Sequence, residues 1–336
     1  MTNVKNIIFT IVLASFWLST FSQDVTFSQF YANPVYMNPA FSGTSGVPRV
    51  AIQYRNQWHG FSNAYNSYSF AVDIPVKKLR GGIGLNFLND VQASGALSVL
   101  SINAAYSVGV QLNENMWMNG GLQVGYVRNS LNVNDLIFAD NLDSNFGNHG
   151  TSGELNYLSS PNNSYLDYGI GSLVFSKRIF MGVAVHHLTE PTQSFSDDDN
   201  YGEPVKRKFS AHMGARLPVY LHGHQRKKMD ISPQLILQSQ GAFQQVNYGL
   251  YAARKGIALG TWFRQNFGLR YDAVIFVIGF VRNRIQLTYS YDLTVSGLSG
   301  ASGGTSEVSC TFLLKQHKNI RTLPFFDRYD EEFGEM

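Results

Sequence analysis

The sequence has little charge and almost no cysteine. Asp, Glu, Lys and Arg make up 15 % of the 336 residues, against roughly 25 % in ordinary soluble domains. The one cysteine, Cys310, cannot form a disulfide within the chain, which excludes a disulfide-stabilised scaffold. The 26 basic and 23 acidic residues nearly balance, which gives no support for nucleic-acid binding, because that function needs a clustered basic face. A hydrophobic fraction of 44 % excludes a disordered chain.

Long hydrophobic runs are missing after the N-terminus. The purest apolar stretch, Ala273–Val281, is far shorter than the roughly 20 residues that a membrane-spanning helix needs. Stretches with helical periodicity are absent as well. The remaining choice lies between a secreted soluble β-protein and a transmembrane β-barrel.

The first residues have the pattern of a signal peptide. Lys5 precedes an apolar run from Ile7 to Leu18, and small residues follow at Thr20 and Ser22, the −3 and −1 positions of a cleavage site. This arrangement predicts export and cleavage after Ser22, so that Gln23 begins the mature chain. An uncleaved membrane anchor is the alternative.

Alternation of apolar and polar residues predicts strands nearly everywhere. In Arg284–Thr294, Ile285 and Leu287 alternate with polar residues, and Ser98–Val110 repeats the pattern. The alternation predicts about 14 strands, at approximately 49–57, 64–74, 82–91, 97–111, 115–128, 165–176, 178–188, 207–220, 230–239, 245–254, 256–265, 272–281, 284–294 and 305–315.

The charged residues of these strands favour a barrel. With the apolar faces placed outward, no Lys, Arg, Asp or Glu is expected on them, because a basic residue at the lipid-facing midplane costs roughly 2–4 kcal/mol. The polar faces carry Arg55, Asp73, Asp167, Lys208, Arg216, Arg264, Asp292 and Glu307.

The connections show the asymmetry of outer-membrane barrels, which have short periplasmic turns and long external loops. With a periplasmic N-terminus, the two longest connections, Asn129–Ser164 and Leu188–Arg207, both lie outside. Aromatic residues near strand ends are expected to form interfacial girdles, although aromatics are common in any strand. The girdle candidates are Trp58, Tyr65, Trp117, Tyr126, Trp262, Tyr271, Phe280 and Phe312.

A barrel of this size is too wide for its wall side chains to fill, so it either conducts or is plugged. The candidate plug is Gln23–Pro48, which is rich in aromatics, carries one charge, Asp24, and contains two Asn-Pro dipeptides. We expect it to pack in the lumen; a strap beneath the barrel is the alternative.

Several stretches resemble the PorP/SprF family. Phe27–Pro34 and Asn38–Gly43 resemble the opening of its mature members, and Tyr54–Trp58 is close to the family's Arg-x-Gln-Trp at the end of the first strand. Gly303–Ser309 is similar to the family's Gly-rich loop before an acidic-start final strand.

The resemblance implies an outer-membrane β-barrel. Together with the alternation and the composition of 23–48, it predicts an all-β fold, a closed antiparallel transmembrane β-barrel of about 14 strands with an N-terminal segment packed in or under the lumen. It implies a non-enzymatic outer-membrane component of the type IX secretion system. Such a protein assists secretion or surface attachment of a specific partner, for example a large gliding adhesin. Its expected partners are outer-membrane lipid, the cargo and other secretion components, with no nucleic acid, and we expect no catalytic residue, cofactor or metal. A passive or ligand-specific porin is the alternative.

Arg55 is the most informative single residue. We expect it to bind the N-terminal segment or a lumen carboxylate such as Asp73 or Glu307, and so to hold the plug rather than contact cargo. The candidate structural and plug-anchoring residues are Asn33, Pro34, Asn38, Pro39, Ala40, Arg55, Gln57, Trp58, Asp73 and Glu307.

Other motifs carry weaker hypotheses. Gly300–Gly304 matches the hydrolase pattern Gly-x-Ser-x-Gly, but lies in a predicted loop instead of a strand-to-helix turn. Asp197–Asp199 could bind calcium, although it lacks the spacing of a known calcium loop. His186 and His187 should point to opposite faces of one strand and so cannot share a site.

The predicted organisation has four parts: a signal peptide (1–22), a plug or strap (23–48), the barrel (49–315) and a periplasmic tail (316–336). The tail is either a docking peptide or a solvated terminus.

Overall fold

A computed structural model describes residues 23–61, 64–133, 136, 142–143, 147–148, 161–195, 202–220, 227–297 and 299–314. The predicted signal peptide, the C-terminal tail and Asp197–Asp199 lie outside these residues. Within the described part of the chain, no helix is both long and apolar enough to cross a membrane.

The described chain is built almost entirely from antiparallel strands. They alternate in direction along the chain, as hairpin connections require. Their bounds are β1 Arg49–Gln57, β2 Tyr65–Val76, β3 Gly81–Gln92, β4 Leu97–Asn113, β5 Met116–Leu131, β6 Asn162–Ser176, β7 Ile179–His186, β8 Lys208–Ala215 with Leu217–Tyr220, β9 Lys227–Gln240, β10 Phe243–Arg254, β11 Ile257–Gln265, β12 Tyr271–Arg282, β13 Ile285–Thr294 and β14 Thr305–Leu313.

The sheet closes on itself. It contains 15 strand segments, two of which together make β8, so the barrel has 14 strands. Sequential neighbours pair, and β14 pairs with β1 from Arg49 opposite Leu313 to Gln57 opposite Thr305. No edge remains between the first and last strands, as a barrel in lipid requires.

Strand β8 is interrupted where a single strand was predicted over 207–220. Its ladder with β9 runs to Gly214 opposite Gln234 and resumes at Leu217 opposite Ile231. Pro233 lies opposite the gap and has no N–H to donate, so the interruption occurs where the ladder is already weakened. At the gap, Arg216 Nη2 donates to Asp230 Oδ2 at 2.8 Å.

Short elements complete the described chain. Two-residue ladders join Thr192–Gln193 to Glu203–Pro204 and Leu142–Asp143 to Gly147–Asn148. The helical elements are an α-helical turn, α1 (Pro34–Met37), and 3₁₀ turns at Pro39–Phe41, Lys77–Leu79 and Ala93–Gly95.

The two ends of the barrel differ. At one end, which we call the turn end, short hairpins such as Arg254–Ile257 join the strands. At the other, the loop end, the connections between β5 and β6 and between β7 and β8 are the longest of the barrel. This confirms the predicted asymmetry.

The outward faces are apolar through their middle, but the expectation that they carry no charge is wrong at the strand ends. Arg128, Arg254, Asp272 and Arg282 are exposed there on the outward faces. At the ends of a spanning strand, long basic side chains reach the interface, where the cost of charge falls to roughly 0–1 kcal/mol.

Two of the predicted girdle aromatics point the wrong way. Trp117 and Trp262 are buried on the inward face, and Trp262 has no exposed surface. Trp262 lies two residues before the inward-facing Arg264, and residues two apart in a strand share a face. The girdle prediction overlooked this alternation. Both side chains pack inside the barrel.

Closure between β1 and β14 can be tested with the one native thiol. Cys310 faces outward on β14, opposite Ile52 of β1 and opposite Leu287 of β13. A short bismaleimide should therefore cross-link Cys310 to Ile52→Cys as readily as to Leu287→Cys, detected by mass spectrometry of the digested protein. Val124→Cys, outward-facing on β5, should give no such product. Reaction at Leu287→Cys without reaction at Ile52→Cys would mean an open sheet.

Candidate functional site: the N-terminal segment in the lumen

Residues 23–48, the N-terminal segment, run through the inside of the barrel from the loop end to the turn end. Asp24 contacts Lys208 at the first residue of β8, which lies at the loop end. Asn38 Nδ2 donates to the Ser172 and Val183 carbonyl oxygens midway down β6 and β7. At the turn end, the Pro48 carbonyl accepts from Leu314 N at 2.9 Å. The chain then reverses into β1.

The two Asn-Pro dipeptides shape this segment locally. Asn33 caps α1, because its Oδ1 accepts from Tyr36 N at 3.3 Å while Pro34 occupies the first helical position. Asn38 caps the following 3₁₀ turn by accepting from Ala40 N at 2.9 Å, with Pro39 first. Asn is favoured at such caps and Pro at the position after them. The dipeptides that predicted turns therefore start two helical turns.

Glycines on the inward faces of β3, β5 and β6 form a glycine seat for these turns. The seat consists of Gly82, Gly84, Gly121 and Gly171. A Cβ at Gly121 would overlap Ala40 N, one at Gly171 would overlap Asn38 Oδ1, and one at Gly82 would overlap the Ser42 carbonyl oxygen. The wall thus lacks side chains where the segment's backbone touches it.

An apolar cluster inside the barrel joins the segment to the wall. The segment contributes Phe30, Met37, Ala40 and Phe41. The Phe30 ring lies 5.3 Å from that of Trp262. The wall contributes Trp117, Leu173, Phe175, Phe180, Ile236, Tyr251, Trp262, Ile275 and Val277.

This cluster explains why Ala273–Val281 shows no alternation. Ile275 and Val277 face inward and pack in the cluster, while Phe276 and Ile278 are half-exposed toward lipid. Both faces of β12 are therefore apolar for different reasons.

Near the loop end, Ser28 lies at the centre of a buried ionic network. Its Oγ accepts from Arg55 Nη1 at 2.6 Å and from Arg264 Nη2 at 2.8 Å. The same hydroxyl donates to Asp292 Oδ2 at 2.5 Å. Glu307 Oε2 accepts from Ser28 N at 2.7 Å and from Arg55 Nη1 at 3.1 Å. Two guanidinium groups thus balance two carboxylates, as buried charges require.

The network also joins the first and last strands. Glu307, on β14, accepts from Gln53 Nε2 of β1 at 2.8 Å and from Gln29 N at 3.0 Å. The Gln29 side chain donates to the Glu307 carbonyl oxygen at 2.9 Å and accepts from the Ser309 hydroxyl. The segment therefore bonds both strands across the line at which the barrel closes.

A second ionic cluster holds the start of the segment. Asp24 Oδ2 lies 2.9 Å from His187 Nε2 and 3.2 Å from Lys208 Nζ. Its Oδ1 and main-chain N both hydrogen-bond the Gln240 side chain at 3.1 Å. His187 Nδ1 is 3.0 Å from Asp167 Oδ1. Both carboxylates therefore face the same imidazole.

The charges in this second cluster stabilise one another. Burial by itself would raise the pKa of Asp24, but the nearby His187 and Lys208 hold it well below the ordinary value of 3.8. Burial would lower the pKa of His187, but Asp24 and Asp167 raise it from 6.5 to about 10. His187 is therefore an imidazolium at neutral pH.

The prediction that His186 and His187 face opposite sides is wrong. Strand β7 ends at His186, and His187 has a φ of 58°, so strand alternation does not apply to it. Both rings are buried: His186 Nε2 lies 3.3 Å from the Met37 carbonyl oxygen, and His187 contacts Asp24. A turn of the backbone brings both to the segment.

Asp73 holds the segment at the turn end. Its Oδ2 accepts from Gly43 N at 2.9 Å, and its Oδ1 lies 2.7 Å from Arg49 Nε. Gly43 has a φ of +72° and packs against the Cα of Gly82, so it needs both the conformation and the size of glycine. Arg55, expected beside Asp73 or Glu307, contacts Glu307.

The remaining candidate residues divide into two groups. Asn33 donates to the Ser69 hydroxyl at 2.8 Å, and Gln57 accepts from Arg55. Trp58 instead lies at the loop end, where its ring packs edge-on against Phe61 and Tyr65.

Sequence reasoning missed Ser28 and Gln29 as contact residues and His187 as an inward group. It placed Lys208, Arg264 and Asp292 inward by parity but did not connect them to the segment. Ser302 of the hydrolase-like motif is fully buried in the loop between β13 and β14. Among the described residues, no group of three His, Cys, Asp or Glu is arranged to hold a metal ion.

The glycine seat predicts a sharp difference between adjacent positions on β5. Gly121→Val places a side chain against the Ala40 backbone and should destabilise the folded protein by about 1–3 kcal/mol, the usual cost of overpacking. Gly120→Val is the matched control, because its Cβ points outward and meets nothing within 4 Å. Urea unfolding followed by gel mobility measures both. Equal stability of the two variants would contradict the seat.

The Asp24 cluster predicts a pH dependence. The raised pKa of His187 means that its stabilising effect is complete below pH 6.5 and is lost as the pH rises through about 10. The lowered pKa of Asp24 means that its effect is present above pH 3.8 and is lost on further acidification.

His187→Gln should cost about 1.5–3 kcal/mol near neutrality and should flatten the fall in thermal stability between pH 6.5 and 10. His59→Gln, an exposed histidine, is the control. If His187→Gln keeps the wild-type fall in thermal stability between pH 6.5 and 10, that fall comes from other titrating groups.

Solved structures with similar architecture are distant. The Ralstonia pickettii toluene transporter TbuX has 10 % identity and a TM-score of 0.44, covering 82 % of this chain and 91 % of its own. The KdgM porin has 6 % identity and a TM-score of 0.37, covering 80 % and 99 %. The β domain of the Bordetella autotransporter BrkA has 10 % identity and a TM-score of 0.38, covering 79 % and 98 %.

A comparison with curated proteins finds no match. The family described as "Type IX secretion system membrane protein PorP/SprF" matches residues 19–312. The match includes the N-terminal segment and every strand of the barrel except the last residue of β14. The chain therefore belongs to the PorP/SprF family of type IX secretion system membrane proteins.

Proposed function

We propose that this chain is a non-enzymatic outer-membrane component of the type IX secretion system that assists secretion or surface attachment of a specific cargo protein, such as a large adhesin. Family membership supports the secretion role. The N-terminal segment is bound along the lumen, and this observation distinguishes the chain from an open barrel.

The bound segment favours this function over a porin. It is held by Asp24 and Ser28 near the loop end, by Asn38 midway and by Gly43 at the turn end. A conducting pore would need this path for ions and solutes. The plug-anchoring role belongs to the residues with contacts along this path: Asn33, Pro34, Asn38, Pro39, Ala40, Arg55, Gln57, Asp73 and Glu307.

The proposed location is the outer membrane, reached after signal-peptide-directed export. The half-exposed apolar outward faces and the short hairpins of the turn end support this. The turn end then faces the periplasm and the loop end faces outward.

Two surfaces are available for partners. The loops within 129–164 and 188–207 would be the external surface, and the turn end would contact periplasmic secretion components. Binding at the loops would place cargo contact outside the cell. Binding at the turn end would place contact with the secretion machinery in the periplasm.

Affinity purification from native membranes tests the proposal. The tagged full chain should retain a large surface protein or a secretion component. Replacing Asp197, Asp198 and Asp199 by Ser should reduce recovery of the cargo if the cargo binds at the loop end. Lys77→Gln with Lys78→Gln should reduce recovery of secretion components if they bind at the turn end. Recovery of neither kind of partner with the wild type would refute the secretion role.

Planar-bilayer conductance distinguishes the proposed function from the alternative of a porin. The wild type should show little steady current because the segment occupies the lumen. Arg55→Gln, which weakens the Ser28 network, should increase current or its fluctuations, while Gly120→Val should not. A large steady current from the wild type would favour the porin.

A further inference from the structure

The outward face of the hairpin joining β12 and β13 carries an open groove of about 660 Å³ at the turn end. Its lining divides by chemistry along the strand direction. The apolar part is formed by Phe280, Ile285 and Leu287, and the polar part by Arg282, Asn283 and Arg284.

The register places these groups on consecutive outward-facing pairs. Phe280 lies directly opposite Leu287, and the next outward-facing pair toward the turn is Arg282 with Ile285. Further from the turn, Ile278 pairs with Tyr289. The surface therefore changes from apolar to guanidinium within one hairpin, at the height where a spanning strand leaves the hydrocarbon.

Among the residues that the structure describes, neither guanidinium group has an acidic partner. Arg282 takes part in none of these ion pairs. The Arg284 side chain donates from Nη1 to the Leu314 carbonyl oxygen at 3.4 Å. The neighbouring hairpin adds Arg254 and Lys255, both exposed. Positive charge is thus concentrated on two adjacent hairpins.

We propose that this groove binds one anionic phospholipid of the leaflet at the turn end. Arg282 and Arg284 hold the phosphate, and the acyl chains lie along Phe280, Ile285 and Leu287. Guanidinium groups match phosphate oxygens in pairs of hydrogen bonds. Basic pockets beside an apolar surface recognise lipid headgroups in this way. The assignment needs only that the barrel is inserted in a bilayer, so it is independent of the cargo.

Charge alone does not make this site. The turn end is basic elsewhere, at Lys77, Lys78, Lys177 and Arg178. Lys77 and Lys78 lie in a 3₁₀ turn of the β2–β3 hairpin and offer a matched loss of two charges at the same end of the barrel. A lipid attracted only by net charge would respond equally to both pairs.

Native mass spectrometry of the full chain in detergent tests the proposal, with palmitoyl-oleoyl phosphatidylglycerol as probe and the phosphatidylcholine of the same chains as reference. The wild type should retain one phosphatidylglycerol in preference to phosphatidylcholine. Arg282→Gln with Arg284→Gln should weaken retention about tenfold or more, whereas Lys77→Gln with Lys78→Gln should leave it within about twofold. Phe280→Ala, which keeps both charges, should also weaken it.

Three outcomes would overturn the assignment. Equal losses from the two double variants would show non-specific attraction. Competition by inorganic phosphate at concentrations that match the lipid would show a phosphate site without acyl recognition. Displacement of the lipid by a synthetic peptide of residues 327–336 would assign the groove to the chain's own acidic C-terminus. Gel mobility of each unheated variant establishes that the barrel is folded.

Discussion

The close fit between the barrel's inner wall and its own N-terminal segment is the constraint on which the rest of the structure depends. Glycines at 82, 121 and 171 leave no room for a side chain where the segment's backbone lies. In return, the segment supplies the apolar groups that fill the lumen and the Ser28 hydroxyl that joins two Arg–carboxylate pairs. Without the segment, the wall would retain a groove and buried charges with one fewer partner, which is costly in a low-dielectric interior.

The two faces of the barrel wall have different surroundings. The outward faces meet lipid and are apolar, whereas the inward faces are polar near Arg55 and Asp24 and apolar around Trp262. The segment also contacts β1, β13 and β14 through Gln29, and so stabilises the closure of the sheet. Barrel wall and segment therefore share one network of contacts, and these contacts are the physical reason for proposing a scaffold-like role in secretion over free conduction.

Local pattern predicts much of this protein, because strand periodicity is set by short-range alternation. The strands and the inward side of Arg55, Asp292 and Glu307 follow from this alternation alone. Trp262 follows from parity too, but its position near a strand end suggested a girdle. The alternation does not predict the side on which His187 lies, because the strand ends at His186 and His187 itself has a positive φ. The glycine seat could not be predicted, since Gly121 and Ala40 meet only through closure of the whole barrel. The interruption at Arg216 likewise lies opposite Pro233 of the neighbouring strand, a pairing that alternation along one strand does not reveal.

Hydrogen–deuterium exchange of the full chain in detergent or nanodiscs tests the central claim most directly. If the segment is built into the lumen, amides from Phe27 to Thr44 should exchange as slowly as those of β1 and β14, and should lose protection together with those strands in denaturant. Exchange of Phe27–Thr44 within seconds, beside protected strands, would contradict the account, because it would place the segment in solvent rather than against the wall.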